Sequence, residues 1–527
     1  MFRGVDLTGF SISPAVQKMI LIEFSLYSLL IVGLGLYLKV VRRSSRDSRF
    51  ADFLTGGGGL NSVEVALLTA MTLMGGGTMI SAPGMTYRDG FIFTLVNFSY
   101  FISNWVGFTV YGKRMAILGK RIKAQTCVQL VHFRFQSRPV AVIFSVGFAA
   151  AFTINCGGQL LSAAKLFSTL LGADLFQVGL ILTGIVIFVY TISGGIKSIA
   201  KISVLQGLIM IVAVLSLVTV EYAGVKEQYG SIQASMEFLN RANSALLNAR
   251  NYTPLYFIGM VLVSSWNNTN SLAVLQSSFT FDSTKTLRRS LMMSCGIVML
   301  VQLIMASSGP FVFSLNQNIT NADYSTIYLT TNRLPIWLSG IVVAAVFAAI
   351  QSSIAAFLLT IAGTLVRDLY KDCINPKADD RQMNRLNYLV LAAAVILSFI
   401  IAENQDALGQ EILIMANGIA VSTQVIPLLF GTYWKKANAC GAVLSSVLGI
   451  LTYGIASFHS GSDWYQTFFL GAHAIIPTVI VAVLAMVIGS LVTPGLKVPL
   501  GVYRVWFCKD YDEAYTKVYN SLERQKD

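Results

Sequence analysis

Thirteen apolar stretches, each long enough to cross the hydrocarbon of a bilayer, recur along almost the whole chain. They run at about residues 19–40, 61–87, 91–112, 140–171, 175–194, 200–222, 254–280, 288–314, 335–366, 386–403, 410–433, 438–458 and 467–493. A backbone inside hydrocarbon must satisfy its own hydrogen bonds, and segments of this length do so as helices. Composition agrees. Of 527 residues 55% are hydrophobic and 12% charged, where soluble domains carry roughly 25% charged residues. Mean hydropathy is +0.66. The expected fold is an all-α polytopic membrane protein.

Basic residues test the count. An odd number of spans puts the two termini on opposite sides. With the N-terminus outside, the outer segments hold only Arg3, Lys18, Arg88, Lys226, Arg241, Arg250 and Arg333, and Lys165 lies within a span. The remaining 30 of 38 Lys and Arg fall on the cytoplasmic side, the bias that orients membrane proteins. The formal net charge of +13 is therefore topology, and no nucleic-acid partner is expected. The expected layout is an extracytoplasmic N-terminus over 1–18 without a cleavable signal, a membrane domain over 19–493, and a cytoplasmic tail over 494–527. The six cysteines (127, 156, 295, 373, 440, 508) show neither disulfide nor metal-site spacing.

Two spans look interrupted. The second carries Gly75-Gly-Gly77 after Met71-Thr-Leu-Met74, then Pro83-Gly84. Each glycine costs about 1 kcal/mol relative to alanine in a helix, so the run predicts unwound backbone lining a cavity. The seventh carries the polar run Ser264 to Ser271. Breaks five helices apart are the pattern of two inverted five-helix repeats, here about 61–222 and 254–433, with a solute held between the broken helices. One helix precedes the repeats and two come after them. Tight packing by small residues is the plainer reading of each break alone.

Charges inside the spans are few, among them Glu23, Glu64 near a helix end, and Lys165. Lys165 has two readings, a side chain reaching for the interface or an attraction for a solute carboxylate. The three histidines lie in loops or near membrane ends, so no proton relay is expected. In the ninth span, Phe347-Ala-Ala-Ile-Gln-Ser-Ser353 sets two hydroxyls among small residues at mid-depth. Sodium needs only about five or six oxygens, which hydroxyls and freed carbonyls can supply.

The chain resembles the sodium:solute symporter family from about residue 50 to 490, and within it the members that carry pantothenate. The resemblance rests on Pro83-Gly84 with Tyr87 and Gly90, and on Gly112-Lys-Arg-Met-Ala-Ile-Leu118. It continues through Tyr190-Thr-Ile-Ser-Gly-Gly195, Gln206-Gly207 with Met210, Ala348 to Tyr370, and Tyr433-Trp434 with Ala437-Asn438 and Gly441. It implies a Na⁺ site on the carbonyls of Met71, Met74 and Ala349 and the hydroxyls of Ser352 and Ser353. By position in the family, Thr78 and Asn97 are expected at the solute. Asn267, Asn268 and Asn270 of the broken seventh span, and Asn417 and Gln424 of the eleventh, join them as candidates. The chain departs from the family at Ser203, where an aspartate is usual, at Gly75-Gly-Gly77, and at Gln351, where methionine is usual. The expected function is Na⁺-coupled symport of a small organic solute, pantothenate or another carboxylate, across the cell membrane among its lipids. A solute sensor and a sodium-independent carrier are the alternatives; an enzyme is not expected, because no group of convergent catalytic side chains is evident.

Overall fold

The computed structural model describes residues 5–7, 10–43, 60–107, 109, 113–122, 124, 126–171, 176–248, 252–267, 284–403, 409–493 and 499–507. Among these, nine helices are long and apolar enough to cross a membrane: Pro14–Gly35, Arg138–Ser168, Gly195–Tyr229, Arg288–Leu315, Ile336–Ile374, Asp380–Ala402, Gly409–Tyr433, Ala439–His459 and Ile475–Val492. Ser62–Leu73 and Gly77–Asp89 make a further span, bent by 55°. Three shorter apolar helices, Ile92–Ser103, Phe176–Val189 and Pro254–Ser265, lie on the three segments that remain. Every expected span thus holds apolar helix, and the spans are numbered one to thirteen in chain order.

Burial sorts them. The most apolar stretch of the ninth span is 89% buried and that of the eleventh 78%, against 22% for the first and 33% for the tenth. The ninth is therefore the central post. Its Ala344-Ala345 and Ala348-Ala349 pairs let neighbours approach closely. The first span turns Leu26 and Leu29 outward, as suits a helix facing lipid.

Local chemistry explains the element ends. At Asn61 the side chain accepts from the Val63 and Glu64 N–H groups (3.0 and 2.9 Å), while Glu64 Oε2 accepts from the Asn61 N–H. This capping box gives Glu64 a structural role. The fifth span turns into the sixth at Gly195, whose φ of 61° and ψ of −169° only glycine adopts at little cost. At Gly309 the eighth span meets the second backbone to backbone: a Cβ there would fall 2.2 Å from the Tyr87 nitrogen and 2.3 Å from the Pro83 oxygen.

One element lies outside the sequence expectation. Val5–Leu7 and Phe10–Ile12 pair as an antiparallel hairpin. It rests on the loop between the eighth and ninth spans, where Asn332 Nδ2 donates to the Ser11 carbonyl (3.0 Å) and Phe10 meets Tyr328 edge-on.

Candidate functional site

The second span breaks where expected. Its first half ends at Leu73, capped by Met74 at φ −107° and ψ 74°, and the chain resumes as a π-helical turn over Gly77–Ser81. The glycines are needed for approach as well as for bending. A Cβ on Gly75 would lie 2.4 Å from Gln159 Oε1 and 2.7 Å from Ser353 Oγ.

At this break the ninth span supplies its hydroxyls. Ser353 Oγ donates to the Met71 carbonyl (2.9 Å), and Ser352 Oγ shares a hydrogen bond with Ser203 Oγ of the sixth span (3.0 Å). Met74 and Ala349 are wholly buried, Ala349 one turn before Ser353. Ser203, at the family's aspartate position, thus brings a hydroxyl to the same corner. Gln351 also finds its reason. Tyr27 of the first span donates to Gln351 Oε1 (3.1 Å) and accepts from Gln206 Nε2 (2.9 Å). Each of these side chains is uncharged.

Beside the break lies a cavity of about 40 Å³. The second span gives it Gly75, Gly77 and Thr78, and the third gives Asn97 and Tyr100. Asn155, Gln159 and Phe152 come from the fourth, Gln302 from the eighth, Phe357 from the ninth, and Gln410 and Asn417 from the eleventh. Thr78, Asn97 and Asn417 are therefore brought together as expected. Gln424 is not. Its amide lies against the fourth span, oriented to accept from the Phe148 N–H at 3.0 Å. Asn417 and Gln424 are seven residues apart and share a face in a regular α-helix. Val421–Val425, however, forms a π-turn that takes up an extra residue and rotates the helix beyond it. Asn267 ends the described helix of the seventh span, and Asn268 and Asn270 lie outside the described residues. The amides of Asn155, Gln159, Gln302 and Gln410 were missed in the sequence. Carboxamides in otherwise apolar spans were the signal that could have found them.

Lys165 reaches neither the interface nor the cavity lining. It is 1% exposed, and its Nζ sits 2.7 Å from Asp323 Oδ2 of the loop between the eighth and ninth spans. The Gly409 N–H, at the start of the eleventh span, donates to the same oxygen (3.3 Å). A buried ammonium is sustained by a bonded counter-ion, and that carboxylate stands in a segment which reads as an exposed loop. Nearby, Arg88 at the end of the second span pairs with Asp89 (2.8 Å) and with Glu411 of the eleventh (2.9 Å). One end of the bundle is thus closed by charged contacts.

The model of the sodium:solute symporter family matches residues 53–449. Among characterised proteins the chain is 23% identical over 485 residues to the sodium/pantothenate symporter of Escherichia coli (strain K12), covering 90% of this chain and 96% of that one. It is 24% identical over 422 residues to the high-affinity proline transporter PutP of Bacillus subtilis (strain 168), covering 77% and 86%. A Na⁺-coupled sialic acid symporter, solved substrate-bound and outward-open, superposes with a TM-score of 0.72 at 18% identity, covering 91% of this chain and 98% of that one. Mhp1, a nucleobase-cation-symport-1 transporter in a closed conformation, superposes with a TM-score of 0.51 at 13% identity, covering 86% and 97%. These likenesses carry the fold, and the family match spans most of the sequence. The chain belongs to the sodium:solute symporter family.

Proposed function

We propose that the protein carries a small organic solute together with Na⁺ by alternating access between its two repeats, about 61–222 and 254–433. One observation carries this reading: Ser353 Oγ bonds the Met71 carbonyl at a helix break that borders a polar cavity. The ion would sit among the carbonyls of Met71, Met74 and Ala349 and the hydroxyls of Ser352 and Ser353. These are hard, neutral oxygens of the kind that replace water around an alkali cation, and each hydroxyl can turn its proton away. Bound there, the ion ties the broken second span to the ninth and biases the solute cavity beside them.

Carried with a neutral solute, each Na⁺ moves one net charge per cycle. At an inside-negative 100 mV this supplies about 2.3 kcal/mol per Na⁺, roughly fifty-fold accumulation. A water needs about 10–15 Å³ of such volume, so a cavity of about 40 Å³ takes a few waters and must widen to load an organic solute. The closure around Lys165, Asp323, Arg88 and Glu411 is the part that has to open. We place this end outside the cell, with the N-terminus outside and the C-terminus in the cytoplasm, on the strength of the basic-residue bias.

The test is uptake into proteoliposomes with and without an inward Na⁺ gradient, for the native chain and for Ser352→Ala/Ser353→Ala. The probes are a panel of labelled solutes that starts from pantothenate and proline, the solutes in the relatives' names, and extends to neutral counterparts. Uptake that requires Na⁺ and collapses in the double variant is the expected result. Uptake indifferent to Na⁺ would instead make the protein a sodium-independent carrier.

A further inference from the structure

The cavity's hydrogen-bond chemistry narrows the solute further, given the carrier reading above. Among the described residues its lining contains no Lys, Arg, His, Asp or Glu, and the seventh-span sequence over 268–281 contains none either. Lys165, the cation of the fourth span, is already neutralised by Asp323. The remaining device for holding an anion is a helix N-terminus, whose free N–H groups attract carboxylates. Here that position is taken. At the start of the second half of the broken span, the Gly76 N–H donates to Gln159 Oε1, and the Thr78 and Met79 N–H groups both close back on the Gly75 carbonyl (3.1 Å). A neutral carboxamide oxygen stands where a carboxylate oxygen would bind.

Three of the other amides already use a donor inside the protein. Asn97 Nδ2 donates to the Phe93 carbonyl (2.9 Å), Gln302 Nε2 to Thr78 Oγ1 (2.8 Å), and Asn417 Nδ2 to Tyr100 (3.3 Å). Two acceptors remain without partners, Asn155 Oδ1 and Gln302 Oε1, on side chains 7% and 3% exposed. Buried acceptors left in this condition favour a ligand that brings N–H or O–H groups. One flank is apolar, formed by Phe152 stacked on Phe357 with ring centroids 5.0 Å apart. We propose that the cavity selects an uncharged solute rich in hydrogen-bond donors, such as a polyol, a sugar or an amide, and rejects a carboxylate.

Matched pairs test this on the full chain in proteoliposomes with Na⁺ present: pantothenol against pantothenate, and glucose against glucuronate. Within each pair the size is kept while an uncharged group replaces the carboxylate. Burying a carboxylate that no side-chain cation pairs costs several kcal/mol, so the neutral member should bind at least about a hundredfold tighter. Gln159→Ala, which bares the Gly76 N–H, should shrink that preference. Tighter binding of either carboxylate, or no binding of any neutral probe, overturns the proposal. Stabilisation of the protein by Na⁺ over choline, measured without solute, reports separately on the sodium-carrier reading. A chain stabilised by Na⁺ that prefers the carboxylates would leave that reading standing and sink this one.

Discussion

Two of the polar centres buried in this molecule are built in opposite ways. At the helix break Met71, Ser203, Ser352 and Ser353 meet as neutral oxygens. At the closed end Lys165 and Asp323 meet as full charges that cancel. Neutral oxygens joined only by hydrogen bonds carry no net charge, and their lone pairs can be turned toward a cation. A paired ammonium and carboxylate have satisfied each other and hold elements together. The first is the corner proposed above for the ion, and the second fastens the fourth and eleventh spans to a loop.

The sharpest way to break the comparison is to remove half of the charged centre. Asp323→Ala should cost about 3–5 kcal/mol, because it strands the Lys165 ammonium, and thermal unfolding in detergent would register it. Lys165→Met/Asp323→Leu should recover most of that loss; a double variant as unstable as the single one would mean the pair fastens nothing. Next in size is Ser203→Asp, which converts the neutral corner into an anionic one. It should tighten Na⁺ binding by about tenfold, read from Na⁺ titration of thermal stability, and a weakening would show that the hydroxyl does not face the ion. Ser353→Ala should cost only about 1 kcal/mol of stability, one neutral hydrogen bond, while abolishing Na⁺-driven uptake.

The smallest expected effect is one of pH. Arg134, between the third and fourth spans, donates to the carbonyls of Gly431 (2.7 Å) and Trp434 (3.2 Å). Burial, and then the like charge of Arg114, push its guanidinium down to about 10. Because the folded value lies below the unfolded one, stability would rise only as pH climbs from about 10. Below that the cost is full and constant. A melting profile from pH 6 to 8 should therefore be flat on its account, and a slope there would have to come from another group.

The membrane spans were legible because each is a long apolar run, and a helix is the structure that lets such a run satisfy its backbone in lipid. That Met71 and the serine pair meet was legible through the family resemblance, which marked them together. Ser203 was seen as a loss of charge, and its partnership with Ser352 needed the fold. The charged closure was hidden because Asp323 sits in a polar segment, and only tertiary packing buries it. Gln424 lies outside the cavity lining for a geometric reason: the π-turn Val421–Val425 rotates the helix there without leaving a mark in hydropathy. The hairpin at Val5–Leu7 and Phe10–Ile12 has strands too short for alternation to register.

The seam at Gly309 has a mechanical consequence. Where two helices touch through side chains, rotamers can yield and absorb a displacement. Here the second and eighth spans touch through bare backbone, with Thr94 of the third bonded to the Ala306 carbonyl one turn away (3.0 Å). A joint of that kind has no slack. A tilt that begins at the glycine break would be handed undiminished to the eighth span, a member of the other repeat, so that two halves related by inversion are geared together as well as facing each other. Adding one methyl group at Gly309 would wedge the gear apart.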